Sequence, residues 1–441
     1  MKIKSILLGA SAAALAATGA QAADLPVAPE PVDYVRICDA FGTGFFYIPG
    51  TETCLRIGGR IRTEVRFNDF GDSGNHDLSA WDQDSDVGVA FRARGYARFD
   101  SRTNTEYGLL RTYLEMYWTN TTSGATPAGD STTIDKAFIQ FGGLTAGRAA
   151  SFYDFYTGDA WGSVFNQGFA DNGSVNLFGY TFAFGNGFSV SASVEDGTDR
   201  RAGILYPSLA TVATTGGGTA PATSGNAVWP ASTLTYVTTG GVTYPVNVTN
   251  GYGGHRMPDF VANLRVDQGW GSAQIMGALH QVYTDNAIVG FGVDDELGWA
   301  IGAGVTINLP MLAPGDSFSF QGSYSDGAAN YAAAGNGIYA DAVVNPFTGD
   351  LKKTKAWAIG AGFTHYWVPE FSTSLSASYL DYDHGYFIPD LSEWNVQGNL
   401  VWHPVAGLDI GAELEYSNQD YSSGAGDKDA ISAIIRVQRT F

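Results

Sequence analysis

The last eleven residues, ISAIIRVQRTF (431–441), sort by parity. Ile431, Ala433, Ile435, Val437 and Phe441 fall on one side, and Ser432, Arg436, Gln438 and Thr440 on the other. A strand turns alternate residues to opposite faces, so this is a ribbon with one apolar and one largely polar side. Ile434 among the polar positions and Arg439 among the apolar ones break the rule. Arg439 stands two residues from the end, where a long side chain snorkels to a water interface. Alone, the pattern describes a half-buried strand of a soluble protein just as well; its recurrence upstream decides against that.

Over residues 55–67, Leu55, Ile57, Ile61, Val65 and Phe67 share one face with Gly59 and Thr63, while Arg56, Arg60, Arg62, Glu64 and Arg66 share the other. Residues 87–99 repeat the division, with Val87, Val89, Phe91, Ala93, Ala97 and Phe99 opposing Arg92, Arg94, Tyr96 and Arg98. Arg111 continues the series on 110–118, opposite Leu110, Leu114, Met116 and Trp118. Facing lipid near the midplane, each arginine would cost roughly 2–4 kcal/mol. Arginines two apart on a strand are about 7 Å from each other and repel by about 0.6 kcal/mol in water, but about 2.4 kcal/mol at an effective dielectric of 20. A dry core penalises such a ladder. A water-filled lumen with facing carboxylates does not.

Further stretches carry the same division of faces: 134–141, 144–148, 176–184, 188–195, 260–266, 273–283, 297–309, 318–324, 356–367, 371–379, 392–402 and 408–416, which with the closing strand makes sixteen. Their connections alternate strictly between long and short, from 68–86 (long) and 101–106 (short) to 403–407 (short) and 417–428 (long). An even-stranded outer-membrane barrel has short periplasmic turns and long outer loops, whereas a sandwich has no reason to sort its loops. The expectation is an all-β fold, a 16-stranded antiparallel transmembrane β-barrel over 55–441. Trp and Tyr near strand ends, among them Trp118, Tyr180, Trp299, Tyr324, Trp357, Tyr366, Trp367, Tyr379, Trp394, Trp402 and Tyr416, would form its interfacial girdles. The longest connection, 196–256, holds a Thr/Gly/Ser/Ala/Pro-rich stretch at 211–250 whose composition builds no core; it reads as a mobile outer loop.

Composition agrees. Of 441 residues, 15% are charged, 13% are aromatic and 57 are Gly, a mixture that favours strands over helices. The formal charge is −20, which disfavours nucleic-acid binding. Lys2 and Lys4, the apolar run 6–17 and Ala20-Gln21-Ala22 form a secretory signal peptide over 1–22, leaving 23–54 as a periplasmic segment that leads into the first strand. Loss of the two lysines makes the charge −22. In an exported chain the pair Cys38 and Cys54 reads as a disulfide; no His lies between them to suggest a metal.

The connection SFYDFYTGDAWGSVFNQGFADNGSV (151–175) is rich in aromatics, carries Asp154, Asp159 and Asp171, and has no basic residue. Folded into the lumen, its carboxylates would face Arg56, Arg60, Arg62, Arg92, Arg94 and Arg98 across a narrow channel, and the transverse field would orient polar solutes. The alternative is an outward acidic loop that binds divalent cations. Its aromatic content favours the inward fold. Enzyme motifs are weak: GGLTAGRA (142–149) has Arg148 and Ala149 where a phosphate loop needs Lys and Ser or Thr, and it joins two strands. Asp82, Asp84 and Asp86 begin like a calcium loop, but Val87 replaces its Gly and Ala93 its terminal Glu, which leaves at most a loose cation site. The six histidines lack metal spacing, so no catalytic residue, metal or cofactor is expected.

EPVDYVRICDAFGTGFFYIPGTETCLRIGGRIR (30–62), AFIQFGGLTAGR (137–148) and IIRVQRTF (434–441) resemble the alphaproteobacterial general porin family, and the resemblance covers essentially the whole mature chain. It implies a sixteen-stranded barrel in the outer membrane of a Gram-negative bacterium, among outer-membrane lipid and lipopolysaccharide. It further implies a homotrimer, with the third loop inside as a constriction, that passes small hydrophilic solutes and ions passively. Cys38 and Cys54 match the family's pair, and Phe441 its C-terminal assembly signal. A substrate-specific channel, for sugars or another small nutrient, is the second reading; a surface adhesin or receptor is a weaker third. The arginine-rich lumen and the acidic loops pull ion selectivity in opposite directions, and the net charge tips the expectation to weak cation preference.

Overall fold

The computed structural model describes residues 36–67, 88–121, 130–161, 173–209, 234–239, 242–285, 292–332, 340–345, 348–386, 388–422 and 428–441. The expected signal peptide, residues 23–35 of the segment after it and Asp82, Asp84 and Asp86 lie outside these residues. Contacts divide the chain into two units after Leu55. In the first, Cys38 and Cys54 form a disulfide with Cα atoms 6.0 Å apart. Both are fully buried with Phe45, and Phe41 and Tyr47 pack against them. The bridge spans a sequence separation of 16, which in the chain-entropy account contributes about 3 kcal/mol.

The second unit is a closed antiparallel barrel. Its strands are β1 (Cys54–Phe67), β2 (Val89–Thr105), β3 (Gly108–Thr121), β4 (Asp130–Phe141), β5 (Leu144–Ala150), β6 (Ser174–Gly185), β7 (Phe188–Glu195), β8 (Asp259–Gln268), β9 (Gly271–Val282), β10 (Glu296–Asn308), β11 (Ser317–Asp326), β12 (Lys355–Val368), β13 (Phe371–Asp383), β14 (Leu391–Val405), β15 (Leu408–Tyr421) and β16 (Lys428–Thr440). Each pairs with its neighbours, and β16 returns to β1 with Thr440 opposite Arg60 and Ala433 opposite Phe67. All sixteen expected strands are present, β7 with the expected bounds and the others shifted or extended at one end or both. Connections at one end are as short as 106–107, 142–143, 186–187, 369–370 and 406–407, while those at the other include 151–173, 196–258 and 327–354.

The pattern of burial is inverted relative to a soluble core. Ile435 is 50% exposed and Ile57 57%, whereas Arg436 is 4% and Gln397 0% exposed. Apolar side chains therefore face the hydrocarbon and polar ones the interior, as the parity reading requires. On six consecutive strands, Trp299, Tyr324, Trp357, Tyr379, Trp394 and Tyr416 form one outward row, with Tyr324 opposite Trp357 and Tyr379 opposite Trp394. Three ring pairs along it, Trp299–Tyr324, Trp357–Tyr379 and Trp394–Tyr416, have centroids 5.1–5.5 Å apart, which is the geometry of an interfacial girdle. Tyr366 is an exception: its ring stacks on His403, 5.9 Å away.

Of the long connection 196–256, residues 210–233 and 240–241 lie outside the described ones, and the rest includes regular structure that the composition does not suggest. Strands Leu234–Thr239 and Val242–Asn250 form a hairpin that pairs with Ile204–Leu209, and Ala342–Val344 and Leu351–Lys353 complete a five-stranded sheet. Reading the stretch by its Thr and Gly content overlooks that LTYVTT and VTYPVNVTN are dominated by β-branched and aromatic residues, which suit a pleated surface.

Candidate functional site in the barrel lumen

The polar parity of β16, β1, β2 and β3 brings the arginines together, and interleaves acids among them. Glu64 of β1 is the hub. Its side chain is fully buried and takes Arg62 (Nε to Oε1, 3.2 Å), Arg66 (Nε to Oε2, 3.4 Å), Arg436 of β16 (Nε to Oε1, 2.6 Å) and Arg92 of β2. A lone buried carboxylate would be costly; four guanidinium partners compensate it, and it in turn lowers the repulsion among them.

Two smaller nodes lie along β2 and β3. Arg98 pairs with Glu115 at 2.9 Å while Tyr113 donates to the same carboxylate at 2.6 Å. Arg102 and Arg111 both pair with Asp100, at 2.7 and 2.8 Å. Arg94 donates to Thr119 at 2.8 Å and lies 4.4 Å from the Tyr117 ring, and Arg60 lies 3.8 Å from the Tyr96 ring. Such stacking holds a guanidinium without neutralising it. Arg56 is exposed. Seven of the eight arginines read from the sequence thus share one stretch of wall, and Arg436, Glu64, Glu115 and Asp100 join them.

The third loop runs along the inner wall and is hooked to it strand by strand. Phe152 N donates to Glu195 of β7 (3.0 Å), and Asn263 of β8 donates to Phe152 O (2.6 Å). Gln274 of β9 donates to Phe152 O and Tyr153 O (3.3 Å each), and Tyr156 N donates to Gln321 of β11 (2.9 Å). Asp159 N and Ala160 N reach Ser376 of β13 at 3.2 and 3.1 Å, and Trp161 N reaches Glu413 of β15 at 2.6 Å. Finally Arg436 of β16 donates to Trp161 O (3.4 Å) and lies 4.5 Å from its ring. In ten residues the loop crosses from β7 to the arginine hub. Its backbone groups bond wall side chains, so an irregular segment at membrane depth is satisfied inside the protein.

The expected opposition of its acids to the arginine ladder is only partly what is found. Asp154 is taken up by Arg200, 2.5 Å away, with its side chain 7% exposed. A pair this near the root of the loop serves anchoring. Asp159 accepts from the Tyr156 hydroxyl at 2.9 Å, and burial pushes its carboxyl up from the usual range. Asp171 lies outside the described residues. The acid that does stand beside the arginines belongs to the wall: Glu413 on β15, with Glu415 two residues on and Glu393 on β14, each 1% exposed. Glu415 accepts from Gln397 (2.9 Å), and Glu393 from Gln419 (3.3 Å).

Behind the loop root lies a buried network. His280 at the end of β9 contacts both oxygens of Asp259 (2.8 and 2.9 Å) and, through Nε2, the Tyr252 hydroxyl (2.9 Å). Tyr252 donates to Asp341 (2.9 Å), Tyr331 donates to Asp259 (2.7 Å), and the Tyr331 ring meets that of Tyr153 edge-on at 5.0 Å. Burial raises Tyr252, Tyr331 and Asp341 above their usual ranges. These groups tie the third loop to the long outer connections. They were hidden in the sequence because partners such as Asp259 and Tyr331, or Tyr252 and Asp341, stand 72 and 89 residues apart.

A family model described as "Porin subfamily" matches residues 24–436. The chain belongs to this porin family. Porin Omp2b of Brucella suis is 32% identical over 461 residues, and the match covers 100% of both chains. Porin Omp2b of Brucella abortus (strain 2308) is 30% identical over 459 residues, again with 100% of both covered. In three dimensions the outer membrane channel DcaP of Acinetobacter baumannii aligns with a TM-score of 0.61 at 14% identity, over 90% of this chain and 99% of that one. OmpF of Salmonella typhi, in complex with daunomycin, aligns at 0.52 and 11%, over 89% and 99%; at these identities both matches speak to the fold alone. This porin is a β-barrel channel of the Gram-negative outer membrane, and the arginine hub and the third loop line its lumen.

Proposed function

We propose that this porin is a general diffusion channel for small hydrophilic solutes and ions, narrowed by its third loop. The observation that carries the reading is the set of hooks that holds residues 152–161 across the inner wall from Glu195 to Arg436. Positive charge on β16, β1 and β2 then stands beside the acidic side of the wall at Glu413 on β15, and solutes cross a transverse field. Polar, hydrated molecules gain from that field, and apolar ones lose. Because both signs line the wall, ion preference is weak, and the overall charge of −20 tips it to cations. Residues 1–22 direct export and are removed. Three copies assemble in the membrane, among outer-membrane lipid and lipopolysaccharide.

A substrate-specific channel is favoured by one feature, the aromatic rings interleaved with arginine on β2 to β4. Tyr96 and Tyr117 lie 5.2 Å apart and Tyr113 and Phe138 5.3 Å, each against a guanidinium. Liposome swelling with uncharged sugars separates the two. A diffusion channel gives rates that fall smoothly with solute size and rise linearly with concentration; saturation by one solute class would replace the general reading with the specific one.

A further inference from the structure

The hooks fix the ends of polar groups, but the height at which the loop lies is set elsewhere. The lumen parity of several strands carries glycine under successive loop residues. A Cβ on Gly179 of β6 would lie 2.6 Å from the Phe152 ring, and one on Gly302 of β10 would lie 3.1 Å from the Tyr153 hydroxyl. On Gly304 of β10 it would come within 2.9 Å of Phe155 Cε1, with Cδ1 closer still; on Gly362 of β12 it would lie 3.0 Å from Asp159 Cγ and overlap the Tyr156 hydroxyl; on Gly411 of β15 it would lie 2.7 Å from Trp161 Cη2 but nearer still to the backbone oxygen of Leu400 on the adjacent strand, so that glycine is needed by the sheet itself. Glycine in a strand interior is destabilising relative to Ala, so its repeated use beneath loop residues calls for a compensating role, and close approach of another segment is one. Hooks and glycines alternate around the wall: glycine on β6, polar side chains on β7, β8 and β9, glycine on β10, Gln321 on β11, glycine on β12, Ser376 on β13, and both on β15.

We propose that Gly179, Gly304 and Gly362 are positioning residues that set how far the third loop stands off the wall, and thereby the cross-section of the passage. The inference rests on the reading that this loop narrows the lumen. Non-bonded carbons settle ~3.5–4.0 Å apart, so a methyl group on one of these glycines drives the ring above it about 1 Å toward the lumen axis. Ridding the ring of its bulk removes the conflict.

The test is single-channel conductance in planar bilayers of Gly304→Ala, Phe155→Ala and the double variant, with Gly179→Ala and Phe152→Ala as an independent second set. Folding is checked by heat-modifiable migration in gel electrophoresis. Gly322→Ala serves as control: it points to the outer face, where its Cβ makes an ordinary 3.6 Å contact with Ile359. The inference expects each single glycine variant to conduct less than the unaltered protein, the double variants to regain what their glycine partners lost, and the control to match the unaltered protein. Glycine variants that fold and conduct normally, or losses that the ring truncations fail to rescue, overturn it. A variant excising 154–160 separates the two readings. If excision enlarges the conductance while the glycine variants do nothing, only the positioning role fails; if excision changes nothing, the constriction reading itself falls.

Discussion

Glu64 concentrates the electrostatics of the lumen in one side chain. Glu64→Gln leaves four arginines around a neutral amide, and breaking a buried charge network of this kind costs about 3–5 kcal/mol. The expected outcome is a lower temperature for loss of the folded band on electrophoresis, together with a reversal potential shifted toward anions. Replacing Arg62 and Arg92 together by Ala should move it the other way. A shift toward cations in Glu64→Gln would contradict the assignment. The arginine face was legible because period-two alternation and the cost of arginine in lipid leave only the lumen for it. The partners were not: Arg436 and Glu64 are separated by 372 residues and meet only because β16 closes on β1. Asp154 illustrates the converse, since a carboxylate's neighbour in space, here Arg200, is invisible to local spacing.

Among the elements, the third loop was recognisable by composition. A connection crowded with Phe, Tyr and Trp seeks a surface to cover, and the inner wall supplies one. Its seating was half visible, in that Gly298, Gly302 and Gly304 already stood on the lumen parity, but their relation to the loop needed the fold. Glu413→Ala removes the acceptor for Trp161 N and for Asn399 (3.1 Å) while leaving Arg436 paired with Glu64. The loop end should loosen, seen as noisier open-channel current than in the unaltered protein; an unchanged noise spectrum would count against the hook. The turn after β13 carries a different device. His384 is fully buried, its Nδ1 2.9 Å from Pro389 O, and burial lowers its pKa to about 4. A histidine depressed from 6.5 stays neutral when folded but takes up a proton when the turn opens. Stability of the turn is therefore intact above pH 6.5 and is lost progressively as pH falls toward 4, by up to about 3 kcal/mol. Hydrogen exchange at residues 384–390 should accelerate over that window, and His384→Gln should flatten the dependence.

For the molecule as a whole, strand number, loop alternation and the inverted apolar pattern were all readable, because each follows from placing a closed sheet between water and hydrocarbon. The five-stranded sheet of the outer connections was missed, since Thr- and Gly-rich composition masked its β-branched residues. Closure depends on the last residue: Phe441 exchanges backbone hydrogen bonds with Gly59 at 3.0 and 2.9 Å, and its ring lies against that glycine. Deleting Phe441 removes both seam bonds, about 1 kcal/mol each, and should lower the yield of heat-modifiable barrel on refolding. Equal yield would show the seam to be dispensable. The most direct measurement is single-channel recording of the purified porin in a planar bilayer under a salt gradient. The account predicts large steps that close in three equal levels, with a small reversal potential of the sign for cations. Folded protein that never conducts would contradict it.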